Sequence, residues 1–100
     1  MSDKYILDAR DNPVLEPNPT KWGHWYETAN RVVACEQIGR SRISTVFTGL
    51  DYAYGKQDKP VLWETMVFGG LLNNELVRCS GTREQAQAMH ARMVRRVKPL

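Results

Sequence analysis

Apolar and polar residues alternate with different periods along this chain, and each change of period marks an element. Tyr5, Ile6 and Leu7, then Val14 and Leu15, are short β-prone runs on either side of Ala9-Arg10-Asp11-Asn12, the pattern of a β-hairpin. Pro13 and Pro17 keep the second strand short and near an edge. Between Asn18 and Arg31 the period becomes helical: Asn18 or Thr20 is positioned to cap, Pro19 falls in the first turn, and Trp22, Trp25, Tyr26 and Ala29 form one apolar stripe. His24, Glu27 and Arg31 gather on the opposite side, with Glu27 and Arg31 in the favourable i, i+4 order for an ion pair. Residues 32–38 and 42–50 read as strands joined by Gly39-Arg40-Ser41, 61–68 as a third ended by Gly69-Gly70, and 75–79 as a shorter fourth. Thr82 and Gln85 form a capping box that opens a helix reaching about Lys98, with Ala86, Met89, Met93 and Val97 as its apolar arc and Val94 at the margin.

The element order is therefore ββαββββα, and short connections favour antiparallel pairing. The expected fold is a single α+β domain over residues 1–100, with one curved antiparallel sheet and both helices packed on one face. The two longest strands are apolar on both sides: Val61, Trp63 and Val67 against Leu62, Met66 and Phe68, and Ile43 and Phe47 against Val46 and Leu50. Two short helices do not cover both faces, so either the N-terminal hairpin or a second copy of the chain does. The second option predicts a two-fold homodimer with Trp63 or Phe68 near the interface.

Composition narrows the class. A chain of 100 residues with 42% hydrophobic and 25% charged residues supports one modest core and no separate regulatory domain. The net charge of +3 is mild, but Arg83, Arg92, Arg95, Arg96 and Lys98 crowd the C-terminal segment against Glu84 alone, which favours anionic partners or a solvated helix face. No apolar run approaches the roughly 18 residues of a membrane span, and no basic-then-hydrophobic leader is visible, so the cytoplasm is the expected location. Cys35 and Cys79 stand apart without metal-ligand spacing and are expected as buried thiols.

Candidate chemistry is scattered. Glu64 lies on a strand that is apolar on both sides and needs a partner such as Arg31, Arg42, Arg78, Ser44, Thr48 or His90. His90 falls within the apolar arc of the last helix and should reach toward the sheet; if it met Glu64 there, the pair would suit general acid–base chemistry. The loop from Asp51 to Pro60 offers Tyr54 and Lys56, suited to stacking a base and neutralising a phosphate, or simply to a solvated tip. No His-x-x-x-His, Gly-x-Ser-x-Gly, Walker or Gly-x-Gly-x-x-Gly pattern occurs, so no metal, cofactor or hydrolytic triad is expected.

Four blocks carry a resemblance: Lys4 to Asp8, Trp22-x-x-Trp25-x-Glu27-x-x-x-Arg31, Ser44-Thr45-Val46-Phe47-x-Gly49-Leu50-Asp51, and Glu64-Thr65-Met66-Val67-Phe68-Gly69-Gly70, with His90 following. Together they resemble a family of small uncharacterised proteins of bacteria and their phages over nearly the whole length. The resemblance implies no catalytic residues. It implies a phage setting, in which a small non-enzymatic protein acts by stoichiometric binding against a host defence system.

Two forms of that task are expected, with a third behind them. In the first, Trp22, His24, Trp25, Glu27, Arg31, Tyr54, Lys56, Trp63, Glu64, Arg78 and His90 supply a pocket that sequesters an anionic, nucleotide-like signal by stacking and arginine–phosphate contacts. In the second, Arg92, Arg95 and Arg96 dock on an acidic surface of a host defence complex, an inhibitor of the anti-CRISPR kind. Direct nucleic-acid binding through the same arginines comes third, because +3 is weak for that task and no binding motif is visible.

Overall fold

The first turn is fixed by one carboxylate: Asp8 Oδ1 accepts from the backbone N–H of Arg10 at 2.8 Å and of Asn12 at 3.0 Å in the computed structural model, which describes residues 3–53 and 59–98. Those bonds, Asn12's first and Arg10's next, hold the Asp8 carboxyl below the ordinary carboxylate range. Around this turn β1 (Tyr5–Leu7) pairs antiparallel with β2 (Pro13–Leu15). Asn18 then caps α1 (Pro19–Thr28) by accepting from the N–H groups of Thr20 and Lys21.

Four strands follow: β3 (Val32–Ile38), β4 (Ser41–Phe47), β5 (Val61–Phe68) and β6 (Leu76–Ser80), antiparallel in the spatial order β3-β4-β5-β6. The Thr82 and Gln85 capping box opens α2 (Arg83–Val97). The fold is α+β in the order ββαββββα. It differs from the expected single sheet, because the hairpin is a separate two-stranded sheet. β4 ends at Phe47 and the chain turns through Gly49 at φ 73, so the hairpin forms no ladder with it and joins it through the Lys4–Leu50 bridge, the Tyr5 N–H donating to the Gly49 carbonyl at 2.8 Å, the Asp51 N–H donating to the Asp3 carbonyl at 3.0 Å, and the packing of Tyr5 and Leu7 on the core.

One face of the four-stranded sheet carries the core. Ile43, Thr45 and Phe47 pair across the ladder with Val67, Thr65 and Trp63, all fully buried, and Ala86, Met89 and Met93 of α2 close over them. Trp25 of α1 reaches the same cluster edge-on to Phe47, with ring centroids 5.8 Å apart. A register shift between Val61 and Trp63 breaks the alternation of β5, so Leu62, expected beside Met66 and Phe68, is buried in the cluster with Phe47 and Trp63.

The other face holds Arg42 beside Phe68, Ser44 beside Met66, and Val46 beside Glu64 and Arg78. The hairpin does not cover it, since Asp11 leans instead toward Arg83 at the start of α2, 3.7 Å away. Trp63 is wholly inside its own chain and therefore cannot lie at an interface, whereas Phe68 on the open face is 39% exposed. Among the described residues no helix is long and apolar enough to cross a membrane.

Candidate groove between the last strand and the last helix

β6 is an outer strand of its sheet, and α2 runs beside it because Val77 and Cys79 pack toward Met89 and Met93. The seam leaves a groove of about 500 Å³ lined by Val61, Arg78, Cys79, Ser80, Gln85, Ala88 and Arg92. It runs on over Val77, Met89 and Met93 to Arg96. The lining mixes Val61, Val77, Met89 and Met93 with the polar Ser80 and Gln85, and its charged members are all cationic, a composition suited to a polar anion.

The three arginines are held differently. Arg78 donates to Glu64 at 3.0 Å and stacks over the Tyr52 ring at 4.1 Å. Arg96 donates to Glu75 at 3.0 Å. Arg92, one helical turn before Arg96, makes no ion pair among the described residues, so its charge is the least compensated on the rim. Burial pushes the Cys79 thiol above its ordinary range, and the Arg92 charge partly opposes that shift. Arg95, expected to act with Arg92 and Arg96, is exposed and does not line this groove.

His90 is committed elsewhere. Its Nε2 meets Glu36 Oε1 at 2.9 Å and its Nδ1 meets Thr45 Oγ1 at 2.7 Å, while Thr45 in turn bonds Thr65. Thr45 Oγ1 thus links His90 Nδ1 to Thr65 while Glu36 holds Nε2, and no buried side-chain nitrogen or oxygen among the described residues lacks a partner. The set has the parts of a hydroxyl–imidazole–carboxylate relay, but both threonines are fully buried and neither hydroxyl is accessible to a substrate. It is a structural network. His90 does not meet Glu64, one of the partners open to that carboxylate in the sequence, because Glu64 points to the open face of the sheet and pairs with Arg78 while His90 points to the helix side.

The chemistry concentrated in α1 is likewise turned inward. Trp22 Nε1 donates to the carbonyls of Tyr5 and Gly49 at 3.0 and 3.1 Å, and a Cβ at residue 49 would lie 3.3 Å from that nitrogen. Trp25 packs on Phe47. The helix ends at Thr28, so Arg31 leaves Glu27 and lies 3.9 Å over the Tyr26 ring, donating to the Phe47 carbonyl at 2.9 Å. His24 and Glu27 stay exposed; His24 borders a shallow depression with Thr20, Lys21, Trp25 and Thr28. Trp63 donates to the Gly81 carbonyl at 2.8 Å and is closed to any ligand.

Tyr54 and Lys56 lie outside the described residues. Cys35, expected buried, is exposed because β3 is the other outer strand and Cys35 faces away from α2. Of the residues marked in the sequence, the groove brings together Arg78, Arg92 and Arg96, with Glu64 behind Arg78. Sequence reasoning missed Cys79 and Ser80 as lining and Glu36 as the partner of His90. The alternation of β3 places Glu36 with Ala34 and Ile38, the residues whose face α2 covers, and that was the available signal for Glu36. Among the described residues no group of three or more His, Cys, Asp or Glu is placed to hold a metal ion. Compared with protein-family models, characterised proteins and solved structures, the chain gives no match.

Proposed function

We propose that the protein is a non-catalytic binding protein that captures an acidic protein partner in the groove between β6 and α2, acting as a stoichiometric inhibitor. The supporting observation is the convergence of Arg78, Arg92 and Arg96 along one groove, with Arg92 making no ion pair among the described residues. Sequestration of a nucleotide ranks lower because Trp22, Trp25 and Trp63, the rings meant to stack a base, are spent on intramolecular contacts. The family resemblance supplies the setting, a phage-type protein directed at a host defence complex.

Cys79 reports on the groove directly. In a Cys35→Ser background, alkylation of Cys79 is slow at neutral pH, because the raised thiol is mostly protonated, and it accelerates as pH rises. Poly-glutamate slows it further, Arg92→Glu abolishes that protection, and Arg95→Glu preserves it. Protection by cyclic dinucleotides or ADP-ribose but not by poly-glutamate transfers the groove to nucleotide sequestration, and protection by neither removes the groove as a binding site.

A further inference from the structure

Resting on this reading of the groove, we propose that the partner enters it as an extended acidic segment that adds a strand to the free edge of β6. The backbone carries the first part of the argument. The Val67 N–H donates to the Glu75 carbonyl at 3.0 Å, and in an antiparallel ladder hydrogen-bonded pairs recur at every second residue. Thr65 and Val77 are thus the next such pair, and Leu76 and Arg78 turn their N–H and C=O groups to the outer edge. Among the described residues no strand lies beyond β6. An open row of donors and acceptors beside a groove that can take alternate side chains is the arrangement that strand addition uses.

Charge selects the occupant. Arg78 stands on the open-face side of the edge, and Arg92 and Arg96 stand on the α2 side, so a strand laid along β6 meets cations whichever way its alternate side chains point. Acidic residues on that strand are matched and basic ones repelled. A second copy of the chain is a poor occupant: antiparallel pairing of β6 with itself about its middle residue sets Arg78 against Arg78. The opposite edge is a weaker template. β3 has a register shift between Val32 and Ala34 that interrupts its ladder.

The test uses short blocked peptides of alternating valine and glutamate, the valine–lysine counterpart, and inorganic tripolyphosphate as an anion without a backbone. Binding is followed by amide exchange of the labelled full chain and by titration of two variants. Leu76→Pro removes an N–H that points to the free edge, a position where proline is tolerated, and so blocks strand addition while sparing the sheet. The glutamate peptide is expected to slow exchange at Leu76 and Arg78 in the unmodified protein, and its affinity to fall about tenfold for Leu76→Pro and about tenfold for Arg92→Glu, the loss of roughly one contact each. The amide exchange of the unmodified chain decides the matter if Leu76→Pro proves unfolded by circular dichroism. Glutamate-peptide binding that depends on Arg92 but leaves the Leu76 and Arg78 amides unprotected overturns strand addition and keeps the acidic groove. Binding of tripolyphosphate alone, or equal binding of the lysine peptide, overturns both. Absence of any peptide binding overturns strand addition.

Discussion

Trp63→Ala is expected to cost about 3–5 kcal/mol, the range for deleting a large ring from a closed core. Trp63 is fully buried, packs at 5.0 Å between centroids against Phe47, and donates its indole N–H to Gly81 where the chain turns from β6 into α2. Losing it opens a cavity between sheet and helix and strands a carbonyl at that turn. For a domain of this length the loss corresponds to a fall of more than about 10 °C in the melting midpoint, readable by calorimetry. Phe68→Ala, on the open face, should leave the midpoint within a few degrees. A comparable fall for Phe68→Ala would show that the open face is covered, and an unchanged midpoint for Trp63→Ala would contradict the packing described here.

The second large effect belongs to the buried polar chain. Thr45→Val keeps the volume nearly constant but removes the hydroxyl that hydrogen-bonds both His90 Nδ1 and Thr65 Oγ1, leaving each without that partner. Each stranded group costs about 1–3 kcal/mol in a dry interior. Replacing both threonines by valine should cost less than the sum of the single changes, because the Thr65 hydroxyl is no longer orphaned. Denaturant melts of the two single variants and the double variant give the coupling directly. Additive losses would mean that the hydroxyls do not act as one chain.

The elements themselves were readable because their signals are local. The capping box of Thr82 and Gln85 and the arc of Ala86, Met89 and Met93 give α2 its start and its buried face without any tertiary knowledge. Glycine at residue 39 and the β-branched runs on either side give β3 and β4. What failed was face and partner assignment. In β5 the register shift at Val61 and Trp63 displaces Leu62 to the interior, and an irregularity of one residue leaves no mark in the apolar run Val61-Leu62-Trp63.

The carboxylate that serves His90 was missed for a related reason. Glu36 and Glu64 both sit in strands, and the alternation of β3 groups Glu36 with Ala34 and Ile38 without saying which face the helix covers; the ladder registers put Glu36 on the helix side and Glu64 on the open face. The tryptophans of α1 misled in another way. A helix dense in Trp, Tyr and Arg has the same periodicity whether its stripe meets a ligand or the protein's own carbonyls, and here Trp22 and Arg31 meet the carbonyls of Tyr5, Gly49 and Phe47. The arginines of α2 were legible as a cluster, but the groove they border exists only because β6 ends the sheet beside them.

That groove can be separated from every other surface by mapping amide chemical shifts of the labelled protein as poly-glutamate is added at low salt. Shifts are expected to concentrate in Leu76–Ser80 and along the Gln85 to Arg96 side of α2, to vanish with Arg92→Glu, and to spare α1. Shifts centred on residues 18–31, or spread over the surface and indifferent to Arg92, would contradict the assignment of function to the seam between β6 and α2.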